Sequence, residues 1–348
     1  MADFPTIDPD RRLELLEPPV GRVDVVLDTD VTNEIDDQFA IAWAARRSDR
    51  INIVGLHACP YSLSPELFRA GALLTPLDER SLRTTLDRLG VGVDQIPTLS
   101  PASGVRRARD ELERMADLLG LDPGIIRTGA DRYLAAPDVP VVTEATEHLV
   151  ELARSAVDPL HVVAIGCPTN VVSALLAAPD IVDKIVVNWT AAYPSFWPYR
   201  NASFNLAQDL HAVRALFDSG VPLVYLPGYL VGEELRVTRP EITHHLDGGG
   251  PVAQYLHDIY DRHPLDGNHH GKSKVIWDII NIGWLLEPAW LDTRIVPTPV
   301  LDDDLHWQHP PGRHVMREAV DIDRDAMFRD LFRSVDDRAG SADTGESP

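Results

Sequence analysis

The sequence contains few of the residues that crosslink small proteins or clamp them around a metal. Only two of its 348 residues are cysteines, Cys59 and Cys167, and neither forms part of a CxxC pair. A disulfide framework and a cysteine-based structural zinc site are therefore excluded, so the fold depends on its hydrophobic core. The sequence also lacks any run of 18 apolar residues, which excludes a helix that spans a membrane.

Basic residues are also scarce. Lys and Arg number 32 against 54 Asp and Glu, which gives a formal net charge of −22. Nucleic-acid binding requires clustered Lys and Arg, so DNA and RNA are not expected as partners. The N-terminus has no basic stretch followed by an apolar one, so we expect no secretory signal and a cytoplasmic location. The acidic charge fits a small neutral or cationic substrate, and it also favours solubility.

Short apolar strands alternate with amphipathic helices along most of the chain. Apolar runs bounded by turn residues predict the strands 23–28, 51–57, 160–166, 184–189 and 222–227. Helical spacing of apolar residues predicts the helices 34–46, 105–119, 144–156, 169–177, 208–218, 251–262, 275–286 and 323–335. The alternation is typical of an α/β fold, an open Rossmann-like sheet of mostly parallel strands with helices on both faces. We expect one domain over residues 1–336, with an insertion at about 60–104, and a disordered tail over 337–348.

Acidic residues are concentrated in VVLDTDVTNEIDDQFA, where the first strand ends and a helix begins. Four aspartates lie in this segment: Asp28, Asp30, Asp36 and Asp37. In open α/β sheets, ligands bind at the carboxyl ends of the strands. Packed carboxylates repel one another unless a cation or shared protons offset the charge, and a hard divalent cation is the simplest solution. Capping of the helix is the alternative, and it suits one or two aspartates but not four.

The short text DTDVT also fits the DxDx(T/V) signature of haloacid dehalogenase-like phosphatases. That alternative makes Asp28 the nucleophile and Asp30 the acid/base. Such an enzyme also needs a later lysine and an acidic pair that holds magnesium. The late acidic run at 302–304 lies in a polar stretch with no apolar strand leading into it. The signature also leaves the later DD pair unexplained.

The whole segment resembles the nucleoside hydrolases, whose usual text is DTDPGxDDxxA. Here the turn, VTNEI, is longer by two residues, as in a branch of nucleoside hydrolase-like proteins. The resemblance implies that Asp30 is a calcium ligand and the general base for water. It also implies that Asp37 is a second calcium ligand and that Asp36 contacts a ribose hydroxyl. No role follows for Asn33 and Glu34 in the longer turn.

Two later segments resemble further parts of the same family, in the same order. HVVAIGCPTNVVSA resembles its strand–GxxTN–helix segment, which implies that the backbone carbonyl of Ile165 binds the metal; an ordinary βα turn capped by Thr169 is the alternative. NASFNLAQD, which begins at Asn201, resembles its EFN segment, so that Asn205 would bind the sugar hydroxyls. Ser203 replaces the family's glutamate, which holds the far hydroxyl of the sugar, so the 5′ end of the substrate is open.

VIWDIINIGWLLEP resembles the family segment that carries the final metal-binding aspartate, which would be Asp278. Asp278 would bind both the calcium ion and the sugar diol. Trp277 stands where many relatives carry a histidine that protonates the leaving base, whereas purine-preferring relatives stack a tryptophan on the base. Helix capping or a salt bridge is the alternative for Asp278, and a place in the core is the alternative for Trp277.

Other residues complete the expected substrate pocket. We expect Trp197, Tyr199 and Arg200, which precede the SFN text, to line the base pocket. His269 or His270, in GNHHGK, is a candidate acid for the leaving base, with a plain surface position as the alternative.

The resemblance implies calcium-dependent hydrolysis of the N-glycosidic bond of a ribonucleoside, to ribose and a free base. A purine is the preferred base because of Trp277, and a modified nucleoside stays open. The substrate would be a small molecule, and relatives of this kind are homodimers or homotetramers. A catalytically silent nucleoside-binding protein is a further alternative, against which the intact Asp30 counts.

Overall fold

Strands and helices alternate along the chain in the computed structural model, which describes residues 4–65, 92–95, 98–263 and 273–336. The strands are β1 (Val23–Thr29), β2 (Ile51–Ala58), β3 (Ile126–Thr128), β4 (Leu160–Ala164), β5 (Ile185–Ala191), β6 (Leu223–Pro227), β7 (Arg236–Thr238), β8 (Ser273–Val275), β9 (Leu291–Pro297), β10 (Val300–Leu301), β11 (Trp307–Gln308) and β12 (Val315–Ile322). The helices are α1 (Pro9–Leu16), α2 (Asp36–Arg46), α3 (Pro101–Leu119), α4 (Glu144–Ser155), α5 (Thr169–Ala177), α6 (Phe204–Gln208), α7 (Leu210–Asp218), α8 (Arg239–Leu246), α9 (Pro251–Arg262), α10 (Ile279–Leu286) and α11 (Arg324–Val335).

One eight-stranded sheet forms the centre of the protein, in the order β3-β2-β1-β4-β5-β6-β12-β9. Every neighbouring pair in it is parallel except β12 and β9, which run antiparallel. The hairpins β7–β8 and β10–β11 form two small antiparallel sheets. This architecture confirms the predicted α/β fold with a mostly parallel sheet.

The inner strands are apolar because helices cover both faces of the sheet. β4, β5 and β6 are buried along their whole length, and β1 is buried from Val25 onward. Strands buried on both faces do not alternate apolar and polar residues, so their sequences are mostly apolar and rich in Val, Ile and Leu. The chain leaves β1 first toward β2 and later returns to β4 on the other side of β1. Reversal of strand order opens a crevice at the carboxyl end of β1, where ligands bind in sheets of this kind.

One predicted helix begins later than the sequence indicated. The prediction over 275–286 is wrong at its start, because residues Ser273–Val275 form β8 and pair with β7. Helix α10 then begins at Ile279. Val275 ends β8, and the apolar residues Ile276 and Trp277 lie between the strand and α10, so periodicity alone does not separate the strand from the helix.

The predicted insertion at about 60–104 lies largely outside the described residues. In its described part, Leu63 and Leu99 form an isolated antiparallel bridge, and α3 begins at Pro101. The tail over 337–348 also lies outside the described residues. Over the ranges that the structure describes, no helix has the length and apolar character needed to cross a membrane.

Candidate active site

Three buried carboxylates meet at the carboxyl end of β1. Asp36 and Asp37 open α2, and Asp278 directly precedes α10. Each offers a carboxylate oxygen, and these oxygens all lie within 4.8 Å of one another. We call these residues the carboxylate trio. Oxygen ligands at this spacing are the donor set that a hard divalent cation takes.

The carboxylate trio does not cap its helices. The N-cap of α2 is Ile35, which has no polar side chain, and Asp278 stands at the N-cap of α10 without a side-chain capping bond. Asp37 instead accepts a hydrogen bond from the hydroxyl of Thr29 on β1. Side-chain capping therefore does not explain why these three carboxylates lie together.

Burial and repulsion from neighbouring carboxylates raise the pKa values of the carboxylate trio. Burial raises the pKa of Asp278 well above its usual range, and the neighbouring carboxylates of Asp36 and Asp37 raise it further. Burial also raises the pKa of Asp37, to which Asp36 adds, and it raises the pKa of Asp36 to about 6. A divalent cation would offset the charge that makes ionisation costly here. The donor set of the trio thus fits a metal.

Asp30 lies beside the carboxylate trio but outside that group of three. Its side chain is buried, and burial raises its pKa well above the usual range, with the charge of Asp37 as the next largest cause. Gly166, in the turn after β4, packs directly against it: a Cβ there would lie 3.1 Å from Cβ and Cγ of Asp30 and would overlap Sγ of Cys59. Only a glycine fits between these side chains, so Gly166 sets the position of Asp30.

The longer turn after β1 is tied to the site at two points. Asn33 donates from its backbone nitrogen to the carbonyl of Asp30 at 3.0 Å and from Nδ2 to Oδ2 of Asp30 at 3.4 Å. Glu34 forms an ion pair with Lys274 on β8, whose side chain is only 5% exposed. The Lys274 charge also lowers the pKa of Asp36, against the larger effect of burial. No role for Asn33 or Glu34 follows from the sequence, and nothing near Lys274 marked it as a site residue.

The predicted metal-binding carbonyl and the predicted sugar-binding amide contact each other. Nδ2 of Asn205 lies 3.3 Å from the carbonyl oxygen of Ile165 and 3.1 Å from that of Thr190. The loops after β4 and β5 are thereby joined at the carboxyl edge of the sheet. The structure therefore brings Ile165 and Asn205 together.

Asn170 holds Asp28, and the sequence did not single it out. Nδ2 of Asn170 donates to Oδ1 of Asp28 at 2.8 Å and to the carbonyl of Ala58 at 3.1 Å, and its Oδ1 accepts from the nitrogen of Ala130 at 2.8 Å. Burial raises the pKa of Asp28 to about 7, although the bond from Asn170 lowers it. The TN text of the GxxTN segment was the available signal for this residue.

Ser203, the first residue of the SFN text, and Asn201, two residues before it, hold the loop after β5. Ser203 Oγ accepts from the backbone nitrogen of Ala192 at 3.0 Å, and Asn201 Oδ1 accepts from that of Tyr193 at 3.2 Å. Both Ser203 and Asn201 are buried. Thr169, the other residue for which capping was the alternative, donates to Asp209 at 2.7 Å and does not cap α5.

Four aromatic rings form a continuous series that starts next to the carboxylate trio. Trp277, half-buried, meets Tyr229 edge-on at 5.6 Å between ring centroids. Tyr229 lies 4.5 Å from Tyr193, and Tyr193 stacks on Trp197 at 4.5 Å with the planes 6° apart. We call these four residues the aromatic wall. Tyr199, at 65% exposure, extends it edge-on into solvent.

Among the described residues, the features required of a phosphatase do not assemble. The acidic run at 302–304 lies between the short strands β10 and β11, outside the central sheet. Asp302 accepts hydrogen bonds from the backbone nitrogens of Asp304 and His306. The buried Asp28 is held by Asn170. His269 and His270 lie outside the described residues.

Comparison with known proteins identifies one family. The family model of the inosine-uridine preferring nucleoside hydrolases matches residues 25–329. The chain is 28% identical over 197 residues to the pyrimidine-specific ribonucleoside hydrolase RihA of Enterobacter sp. (strain 638), a match that covers 51% of this chain and 59% of that protein. It is 27% identical to RihB of Escherichia coli O1:K1, also named pyrimidine-specific, over 44% of this chain and 50% of that protein. The chain spans about half the length of the curated relatives it matches.

Solved structures share the fold. A plant nucleoside hydrolase matches with a TM-score of 0.64 at 14% identity, over 90% of this chain and 99% of that chain. A purine-preferring ribonucleoside hydrolase from Gardnerella vaginalis matches with a TM-score of 0.59 at 18% identity, over 92% of this chain and 100% of that chain. At such identities the likeness extends to the arrangement of strands and helices.

Proposed function

The chain belongs to the inosine-uridine preferring nucleoside hydrolase family, and from that premise we propose that it hydrolyses the N-glycosidic bond of a ribonucleoside, with calcium as its metal and a purine as the preferred base. The observation that carries the proposal is the buried carboxylate trio beside Asp30, at the crevice where the sheet reverses its strand order. Family membership supplies the reaction class, and these residues supply the chemistry that the reaction needs.

The proposed metal ligands are Asp30, Asp37, Asp278 and the carbonyl of Ile165, with Asp36 close enough to share the ion. Calcium fits because it accepts six to eight oxygen ligands in flexible geometry. When bound, it offsets the charge of the carboxylates and lowers the cost of deprotonating a water molecule.

The remaining steps fall to the side chains of this chain. Breaking the N-glycosidic bond develops positive charge on the sugar ring, which buried carboxylates stabilise. Asp30 accepts the proton of the attacking water, because its buried carboxylate lies beside the carboxylate trio and its surroundings raise its pKa. The departing base keeps the electron pair of the broken bond and takes up a proton from solvent. Asp36 and Asn205 hold the ribose diol and so orient the ring for attack.

The preferred base is proposed from Trp277. Its ring lies over the loop after β6, where a Cβ on Gly228 or Gly232 would approach it to 3.7 or 3.9 Å, and it directly precedes Asp278. A half-buried indole at this place offers a stacking surface for a two-ring base, which gains more from stacking than a one-ring base. Two relatives named above are pyrimidine-specific, so the base preference is the part of the proposal that a substrate panel decides.

A panel of purine and pyrimidine ribonucleosides tests the function directly. We expect calcium-dependent release of free ribose, with kcat/KM about tenfold higher for inosine or adenosine than for uridine. Trp277→Ala should remove most of that ratio. A higher rate on uridine would reverse the base preference, and phosphate release from phosphoesters without any sugar release would move the assignment to the phosphatase.

Calcium should stabilise the protein more as the pH rises. The carboxylates of the site have folded-state pKa values above the ~3.9 of an unfolded aspartate: about 6 for Asp36, and well above the usual range for Asp30, Asp37 and Asp278. The calcium-free fold therefore retains protons that the unfolded chain releases, and its stability falls as the pH rises through these values. Calcium needs the charged carboxylates, so the increase in Tm that it causes should be several degrees larger at about pH 8 than at about pH 6.

Scanning calorimetry with and without calcium measures this difference. Groups remote from the metal titrate alike in both samples, so the contribution of the buried histidines cancels in the difference between the two Tm values. Magnesium at the same concentration is the matched control, since it dehydrates reluctantly and demands octahedral geometry. A calcium effect that is equal at both pH values would contradict binding at these carboxylates.

The assembly and location of the protein are proposed from the sequence resemblance and composition alone. We propose a homodimer or homotetramer in the cytoplasm, made of one domain over residues 1–336. Sedimentation of the purified protein and fractionation of cells measure these two properties.

A further inference from the structure

The aromatic wall is built on a firmly held loop. Tyr225, in β6, donates from its hydroxyl to the carbonyl of Tyr193 at 2.7 Å. Ser195 donates from its nitrogen and its hydroxyl to the two oxygens of Glu318, at 2.5 and 3.0 Å. Glu318 is fully buried and is paired with Arg294 at 2.8 Å. The rings are thus fixed before a ligand arrives, which lowers the entropic cost of binding to them.

The wall offers a ligand apolar surface. Ser203, the short polar residue of the SFN text, already accepts a hydrogen bond from the backbone nitrogen of Ala192. Tyr193 and Trp197 are half-buried, so each retains an exposed part of its ring at the carboxyl edge of the sheet. Apolar groups of a ligand would therefore be removed from water here, and hydroxyl groups would lose hydrogen bonds.

The stereochemistry of a ribonucleoside decides which of its groups reach the wall. In a β-ribonucleoside the 2′ and 3′ hydroxyls lie on one face of the sugar, and the base and C5′ lie on the other. If the carboxylate trio and Asn205 hold the diol, the base and C5′ both face away from them. The wall is longer than one base, since Tyr229 and Tyr193 separate Trp277 from Trp197. A base on Trp277 leaves the Trp197 end for the substituent on C5′.

We propose that the substrate is a ribonucleoside whose C5′ carries an apolar group, such as an alkylthio group, in place of the hydroxyl. Trp197 and Tyr193 are then specificity-determining residues that contact this group. The inference rests on the proposed function, because it assumes that the diol binds at the carboxylates. A 5′-phosphate is disfavoured by the net charge of −22 and by the adjacent carboxylates.

The test compares adenosine, 5′-deoxy-5′-(methylthio)adenosine and adenosine 5′-monophosphate as substrates with calcium present. We expect kcat/KM for the methylthio compound to exceed that for adenosine by about tenfold, the effect of burying one or two apolar groups. Trp197→Ala should bring this ratio close to one. Phe196→Ala is the matched control: it lies in the same loop, but its ring lies under Arg294 at 4.8 Å, so the ratio should not change.

Binding measured apart from turnover separates the two proposals. Calorimetric titration of the Asp30→Asn protein should show tighter binding of the methylthio compound, and adding Trp197→Ala should remove that advantage. Tighter binding of the methylthio compound without hydrolysis by the wild type would support the proposed specificity of the aromatic wall and contradict the proposed hydrolase activity. Hydrolysis with a preference for adenosine or the monophosphate would contradict the proposed role of the aromatic wall. So would a ratio of kcat/KM values, methylthio compound to adenosine, that Trp197→Ala leaves unchanged. Either result would leave the proposed hydrolase activity intact.

Discussion

Replacement of Asp30 by asparagine is expected to lower kcat for ribose release by about a thousandfold, within the range found for loss of a general base. The amide keeps the size of the side chain and an oxygen that can contact a metal, but it cannot accept a proton from water. Burial and the charge of Asp37 raise the proton affinity of the carboxylate that is lost. KM should change much less than kcat, because the proton transfer belongs to the transition state and not to binding.

The matched control for this variant is Asp24→Asn. Asp24 lies on the same strand, is exposed, and accepts a hydrogen bond from Asn52 at 2.6 Å, so its replacement should leave kcat as it is. Calcium titration of both variants checks that the metal still binds. Undiminished turnover in Asp30→Asn would assign the base to another group.

Gly166→Ala is expected to destabilise the fold by about 1–3 kcal/mol and to lower kcat by about a hundredfold. The added methyl group would overlap Sγ of Cys59 and press on Asp30, so the site must shift or the turn after β4 must move. Chemical denaturation measures the first effect, and sugar release measures the second. The stability loss is typical of overpacking, whereas the loss of kcat reports the displacement of Asp30.

A second substitution separates these causes. Cys59→Ala removes the sulfur that the new methyl group meets, so the double variant should recover most of the stability. Gly232→Ala is the control, because its Cβ would meet other atoms only at 3.4 Å or more. Full activity in Gly166→Ala alone would show that Asp30 tolerates the displacement, and the close packing would then have no part in catalysis.

Site residues that lie within one short segment of the chain were predictable from the sequence. The carboxylates of Asp36 and Asp37 follow a buried strand, and this placement alone predicts an edge-of-sheet site. Asp278 was predictable because its surroundings are apolar and an ionised carboxylate there needs a partner. The sequence assigned Asp36 to the sugar, while the structure groups its oxygen with those of the other two aspartates. Whether Asp36 lies nearer the other aspartates or the sugar depends on distances in the folded protein, which the spacing of residues in the sequence does not determine.

Contacts between distant segments left no local signal. Glu34 and Lys274 are 240 positions apart, and each alone reads as a surface charge. Asn170 was visible in a recognised text, yet its three hydrogen bonds come from strands and loops that only the fold brings together. The edge strand β9 and its neighbour β12 were also missed. In both strands exposed and buried positions mix without regular alternation, so periodicity does not mark them.

The Glu34–Lys274 ion pair joins the turn after β1 to the β7–β8 hairpin, so we expect these two segments to be replaced together when parts of this chain are exchanged with those of a relative. A chimera that received the VTNEI turn without the lysine would leave the partly buried Glu34 carboxylate without its ion-pair partner, and one that received only the lysine would leave its nearly buried ammonium without Glu34. Loss of one partner of a buried pair costs about 3–5 kcal/mol, enough to remove much of the stability of an ordinary domain. Recombination between this chain and a relative with the shorter turn should therefore yield folded protein only when both segments come from the same parent.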